Sequence, residues 1–316
     1  MSLAAAPVVA HVIRSGFLES LHHGLGVVTA PDGTVEFALG DPATQVFPRS
    51  ANKPIHAVAA LRAGAAPSAP ALAIGCASHM GAPAHLQATR DALDAVGLDE
   101  SALRNVPGLP GDPSAAAEWI RSGRGPESIA QGCSGNHAVM LAGTVAGGWE
   151  LGSYDDPAHP FQRLVRETTH DLADEQVSAI GVDGCGVPVY AFAIAGLART
   201  YGRIAGARSG LQFRVADAVR ANPELLAGSG RRTTQFMQRV PGLIAKSGAD
   251  GVFAAGLPDG RGVAVKIADG GDRAAGVVLA ALLLRCGAAT ADQLGDLVAA
   301  PVTGHSEVVG HVVGVA

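Results

Sequence analysis

Phe47-Pro48-Arg49-Ser50-Ala51-Asn52-Lys53-Pro54-Ile55-His56-Ala57-Val58-Ala59-Ala60-Leu61 reads as a loop running into a helix. Proline has no amide hydrogen and is tolerated where helical amides lack a partner anyway, so Pro54 sets the helix start near Ser50 and Ala51. Ser50 then sits at a helix mouth. Lys53 follows one turn later on the same face, with its amine in reach of the Ser50 hydroxyl. This is a nucleophile beside a base, provided that burial or a second cation lowers the lysine pKa from its ordinary value of about 10.4. Unpaired amides at the helix mouth, that of Ser50 included, can hold an oxyanion. Taken alone, Ser-x-x-Lys more often means only a helix start with a solvated lysine.

Working outward, the lysine census sharpens the reading. Of 23 basic residues only three are lysines, namely Lys53, Lys246 and Lys266. Arginine cannot replace a lysine that must shed its proton. The second lysine ends the apolar run Pro241-Gly242-Leu243-Ile244-Ala245-Lys246-Ser247-Gly248. Ser-x-x-Lys early, a serine motif next and Lys-Ser/Thr-Gly late is the ordered set of serine β-lactamases and penicillin-binding proteins, and Cys76-Ala77-Ser78-His79 is a loose middle member. Lys266 falls on a predicted strand and reads as an ordinary surface or edge-strand charge.

The 316 residues, 48% of them apolar, can bury one large core. With a net charge of −5 and no basic run, neither nucleic acid nor an anionic membrane is an expected partner. The longest apolar run, Ala274 to Leu284, is too short to span a bilayer, and the first residues do not read as a signal peptide, so a cytoplasmic location is expected. Cys76, Cys133, Cys185 and Cys286 have no close-spaced framework and read as reduced thiols.

Along the chain, Val8 to Arg14 reads as a strand, Ser15 to His23 as a polar connection, and Gly26 to Ala30 with Thr34 to Leu39 as a hairpin around Pro31-Asp32-Gly33. Helices are predicted to Ala63, over His85 to Val96, beyond Gly135, from His159 to Leu172, over Tyr190 to Arg199, Gln212 to Ala221 and Thr233 to Arg239. At the glycine-punctuated entry Gly132-Cys133-Ser134-Gly135, small residues either admit a ligand or serve a close helix contact. A second hairpin follows, Gly251 to Gly256 with Gly262 to Ile267. After it come a buried helix Arg273 to Cys286, a helix near Thr290 to Ala299 and a strand Val308 to Val315. The expected fold is α/β (α+β). It has a mainly antiparallel sheet built from both termini, flanking helices and an inserted helical lobe, in a single domain of two lobes (about 1–65 with 240–316, and 66–239).

Together these residues resemble the rhizobial-type L-asparaginases, the asparaginase II family. The resemblance is carried by Arg49-Ser50-x-x-Lys53-Pro54, Cys76-x-Ser78-His79, Cys133-Ser134-Gly135-x-His137, His159-Pro160-x-Gln162, Asp183-Gly184-Cys185 and Lys246-x-Gly248-Ala249-Asp250. It implies a serine β-lactamase-like fold, a homodimer, and hydrolysis of L-asparagine to aspartate and ammonia with no cofactor required for the chemistry. It makes Ser50 the nucleophile, Lys53 its base and Ser78 with Lys246 a second pair that relays the proton. Arg49, Asp183, His79, Asn136 and His137 become substrate contacts.

Some members of the family also bind zinc through two cysteines and an intervening lysine. Here Cys133 and Cys185 keep the thiols, while the lysine position is Asn136, a much poorer zinc ligand. A second departure is Ala82, where the family usually has glutamate. The alternative reading is an amino-acid-binding sensor of the same fold, or a hydrolase of a related amide.

Overall fold

The computed structural model describes residues 3–316. Strands form at both ends and in the middle of the chain. They are β1 (Val8–Arg14), β2 (Phe17–Thr29), β3 (Val35–Leu39), β4 (Gln45–Val46), β5 (Ala179–Val182), β6 (Pro188–Ala193), β7 (Ile244–Ser247), β8 (Val252–Gly256), β9 (Gly262–Ile267), β10 (Ala299–Gly304) and β11 (Glu307–Gly314). The large sheet runs β10-β11-β1-β2-β9-β8-β7, with β3 also on β2, and every pairing in it is antiparallel. It joins the two termini, as expected. Helices Ile194–Gly206 and Asp272–Arg285 both pack on β2, β8 and β9, and all five residues of β8 are buried. Both faces of the sheet are therefore covered there, which explains why β8 and β9 read as apolar runs rather than alternations.

The middle of the chain supplies the helices that carry the site. Lys53–Arg62 is buried over nine of its ten residues and packs on Ser134–Ala146 and Pro160–Ala173. The helix Ala69–Gly75 is capped by Ser68, whose hydroxyl accepts from the Ala71 amide. Gly135 opens Ser134–Ala146 against this helix, where an added Cβ would strike the Ile74 carbonyl oxygen. The glycine at that entry thus serves a close helix contact. Gly135→Ala is expected to cost about 1–3 kcal/mol through overpacking, read as a fall of several degrees in Tm. An unchanged Tm would contradict the contact.

Four local expectations are corrected. Ser15 to His23 is not a connection: after a turn at Ser15 and Gly16 it enters β2, whose first five residues are exposed on both faces and so lack alternation. Tyr190 to Ala193 belongs to β6, fully buried in a three-stranded sheet β4-β6-β5, and the helix begins only at Ile194. A short apolar run does not distinguish a buried strand from a helix. The segment near Thr290 holds only a short helix Ala291–Leu294 and a 3₁₀ turn before β10. Lys266 is not on an edge strand: β9 lies between β2 and β8, and there the residue is half-buried with its amine donating to the Asp250 carbonyl. No helix among the described residues is long and apolar enough to cross a membrane.

Candidate active site

The quoted opening stretch forms a 3₁₀ turn, Arg49–Asn52, that runs directly into the helix starting at Lys53. The turn is held from two sides. Tyr201 donates its hydroxyl to the Ala51 carbonyl at 2.8 Å, and Gly248, just past β7, packs on Pro48 and Ala51. Arg49 adopts a left-handed backbone (φ 51°), which a non-glycine residue holds only when its surroundings over-determine it. Its guanidinium meets Asp183 at 2.7 Å and also pairs with Asp250.

Ser78 stands on the loop after Ala69–Gly75, fixed by backbone bonds from Ser78 N to Leu226 O and from His79 N to Gly132 O, both 3.0 Å. Lys53 and Lys246, each 1% exposed, converge on it. The Lys53 amine donates to Ser78 Oγ at 3.0 Å and the Lys246 amine to the same oxygen at 2.9 Å. Lys53 also donates to Ala77 O at 2.5 Å and to Cys133 Sγ at 3.1 Å. The direct Lys53 to Ser50 hydrogen bond read from the spacing is not formed, because the amine turns inward to these three acceptors. Ser50 Oγ has no protein hydrogen-bond partner among the described residues, nor does its backbone amide. Ser50, Ser78, His79, Cys133, Ser247 and Gly248 line one open cavity of about 690 Å³.

Two cations around one hydroxyl have an electrostatic consequence. Burial, reinforced by the charge of Lys53, brings the Lys246 amine down from 10.5 to about 7. A neutral amine is thus accessible near physiological pH. At Cys133, the neighbouring Cys185 thiol and the Lys53 cation, whose amine donates to Cys133 Sγ, hold the thiol well below its usual range, while Cys133 and burial push Cys185 up. Burial pushes Cys76 up to about 12 and raises Cys286. Cys133 is therefore expected to be the first of the four thiols alkylated by iodoacetamide at pH 7, as read by peptide mass spectrometry. Earlier labelling of Cys286 would contradict the assignment.

The remaining residues named from the sequence are placed less uniformly. His79 lines the cavity; its Nε2 bonds Ser134 Oγ at 2.8 Å and its Nδ1 accepts from Gly81 N. Asn136 and His137 are fully buried behind the site. Asn136 Oδ1 bonds His56 Nδ1 at 2.9 Å and its amide nitrogen donates to Gly75 O at 2.6 Å, while His137 Nδ1 meets the Tyr154 hydroxyl at 2.6 Å. Burial lowers His56 to about 4, and His79 and His137 to about 3, so all three are neutral at pH 7. His56, Tyr154 and Tyr201 had no motif to announce them, nor did Arg231, Arg232, Thr233 and Asp272, which also line the cavity.

The fold and the cavity define an α/β protein with a serine and lysine site. The particular lineage follows from comparison: the chain belongs to the L-asparaginase II family, whose model matches residues 10–314. That is a family of amidohydrolases. A search of curated protein sequences gives no match. Among solved structures, a β-lactamase from Mycobacterium bovis is 16% identical, with 89% of this chain and 96% of that chain covered, at a TM-score of 0.45. A mutant simvastatin synthase from Aspergillus terreus is 10% identical over 78% of this chain and 86% of that one, at a TM-score of 0.32. The architecture stands on its own strand order.

The zinc implied by the resemblance does not fit these residues. Both hydrogen-bonding ends of Asn136 are spent on His56 and Gly75, so it does not take the place of the family's lysine ligand. Cys133 already faces the Lys53 amine. Among the described residues no group of three or more His, Cys, Asp or Glu side chains could hold a metal ion. Two thiols leave a tetrahedral site half filled.

Proposed function

We propose that this protein hydrolyses the side-chain amide of L-asparagine to aspartate and ammonia through an acyl-enzyme on Ser50. The observation that carries the reading is the meeting of two buried lysines at Ser78, in the cavity that also holds an unpartnered Ser50 hydroxyl. In the first step Ser50 Oγ attacks the amide carbon. Its proton passes into the Lys53, Ser78 and Lys246 array, which delivers a proton to the departing nitrogen as ammonia leaves. In the second step water attacks the ester carbon, the array takes its proton and returns one to Ser50 Oγ as the ester C–O bond breaks, and aspartate departs. The free Ser50 amide is a donor suited to the oxyanion of both steps.

In this reading a single catalytic domain of two lobes works as a homodimer, with no cofactor taking part in the chemistry. Family membership supports an amidohydrolase, and the choice of asparagine is the finer part of the proposal. It is tested by coupled measurement of ammonia release from L-asparagine and from L-glutamine by purified protein treated with a chelator. Release from asparagine that survives chelation is expected. Binding of asparagine without any release would favour the sensor alternative.

A further inference from the structure

The substrate of the proposed reaction carries an α-carboxylate, and the guanidinium assigned to it by resemblance is already engaged. Arg49 is paired with both Asp183 and Asp250, so its charge is answered within the protein. A different arginine stands in the cavity with the two serines. Arg232 opens the helix Arg232–Arg239, whose start is pinned beside the lysine strand by a bond of 3.2 Å from Thr233 Oγ1 to Ser247 Oγ. Its Nη2 donates to the Ala299 carbonyl at 3.2 Å. Its Nη1 is buried and has no hydrogen-bond partner, and Arg232 forms no ion pair among the described residues. A buried guanidinium N–H without an acceptor is costly unless a ligand supplies one.

Room for that nitrogen is made by Gly276 on the facing helix Asp272–Arg285, where a Cβ would stand only 2.8 Å from Arg232 Nη1. Asp272, one turn earlier on the same helix, supplies the carboxylate that lines this cavity, and one of its oxygens accepts from Gly251 N at 3.0 Å. A cationic fork and a carboxylate within one cavity match the two charges of an amino acid.

We infer that Arg232 is a specificity-determining residue that binds the substrate's α-carboxylate, with Asp272 receiving the α-ammonium, so that the site takes amides borne on a free α-amino acid. The inference rests on the amidohydrolase reading and is tested so that the two can fail separately. Wild type and Arg232→Gln are compared on L-asparagine and on 3-aminopropanamide, which is asparagine without its carboxylate. Arg232→Gln is expected to lower kcat/KM for asparagine on the order of 100-fold, mostly through KM, as loss of one partner of a charge pair does. For 3-aminopropanamide, already poor for the wild type, the change is expected to be a few-fold at most.

Equal losses on both substrates, or no loss on asparagine, would overturn the assignment. Gly276→Ala, which keeps the charge but crowds Nη1, is expected to show the same selective loss and covers the case in which Arg232→Gln does not fold. Calorimetric binding of L-aspartate supplies a readout independent of turnover. Arg232-dependent binding with neither amide hydrolysed would uphold the carboxylate site and remove the amidohydrolase reading, whereas binding that ignores Arg232 would overturn the site itself.

Discussion

Ser50→Ala is expected to lower kcat for asparagine hydrolysis by about 10⁴-fold or more, the scale on which removal of a serine nucleophile acts. The same substitution is expected to leave stability within about 0.5 kcal/mol, because Ser50 Oγ makes no hydrogen bond among the described residues that the mutation would orphan. Ser78→Ala separates the two serines. It removes the shared acceptor of two buried amines 3.0 and 2.9 Å away, so it is expected to lower both turnover and Tm. Activity lost only with Ser78, and retained in Ser50→Ala, would exchange their roles.

The second large effect concerns Lys246. Its amine is brought to about 7, and only the deprotonated form can accept a proton. The rate of the wild type is therefore expected to rise as pH increases through about 7 and to level off above it, since protonation below that value removes the base. Lys246→Arg substitutes a group that stays charged throughout the working range. It is expected to lose at least about 100-fold in rate, the lower end for general-base catalysis, and to lose the rising limb near 7. A variant of near-normal rate that keeps the same limb would assign the titration elsewhere.

Much of this was legible in the sequence where chemistry restricts the choice of residue. Three lysines among 23 basic residues made Lys53 and Lys246 conspicuous, and both are buried at the site. Pro54 put the start of the carrying helix near Ser50 and Ala51, two to three residues early, because a 3₁₀ turn, Arg49–Asn52, precedes the α-helix that begins at Lys53. Spacing alone did not reveal which acceptor each amine would choose: Lys53 stands three residues from Ser50, yet points at Ser78 and Cys133, contacts 25 and 80 residues away. The same limit applies to Arg232 and Asp272, brought to the cavity by the packing of two helices and carried in no motif. At β6 the difficulty is different. Six consecutive buried residues carry no period, so only tertiary pairing with β4 and β5 decides that they are a strand. Asn136 illustrates the converse, since its departure from the family's lysine was visible at once and its bonds to His56 and Gly75 explain what the residue does instead.

The central claim is a covalent aspartyl ester on Ser50. Protein mixed with L-asparagine, quenched in acid within the first turnovers and digested for mass spectrometry tests it directly. The account predicts an aspartyl adduct on the peptide that contains Ser50, absent from Ser50→Ala. Release of ammonia with no adduct there, or with the adduct on the Ser78 or Cys133 peptide, would contradict it.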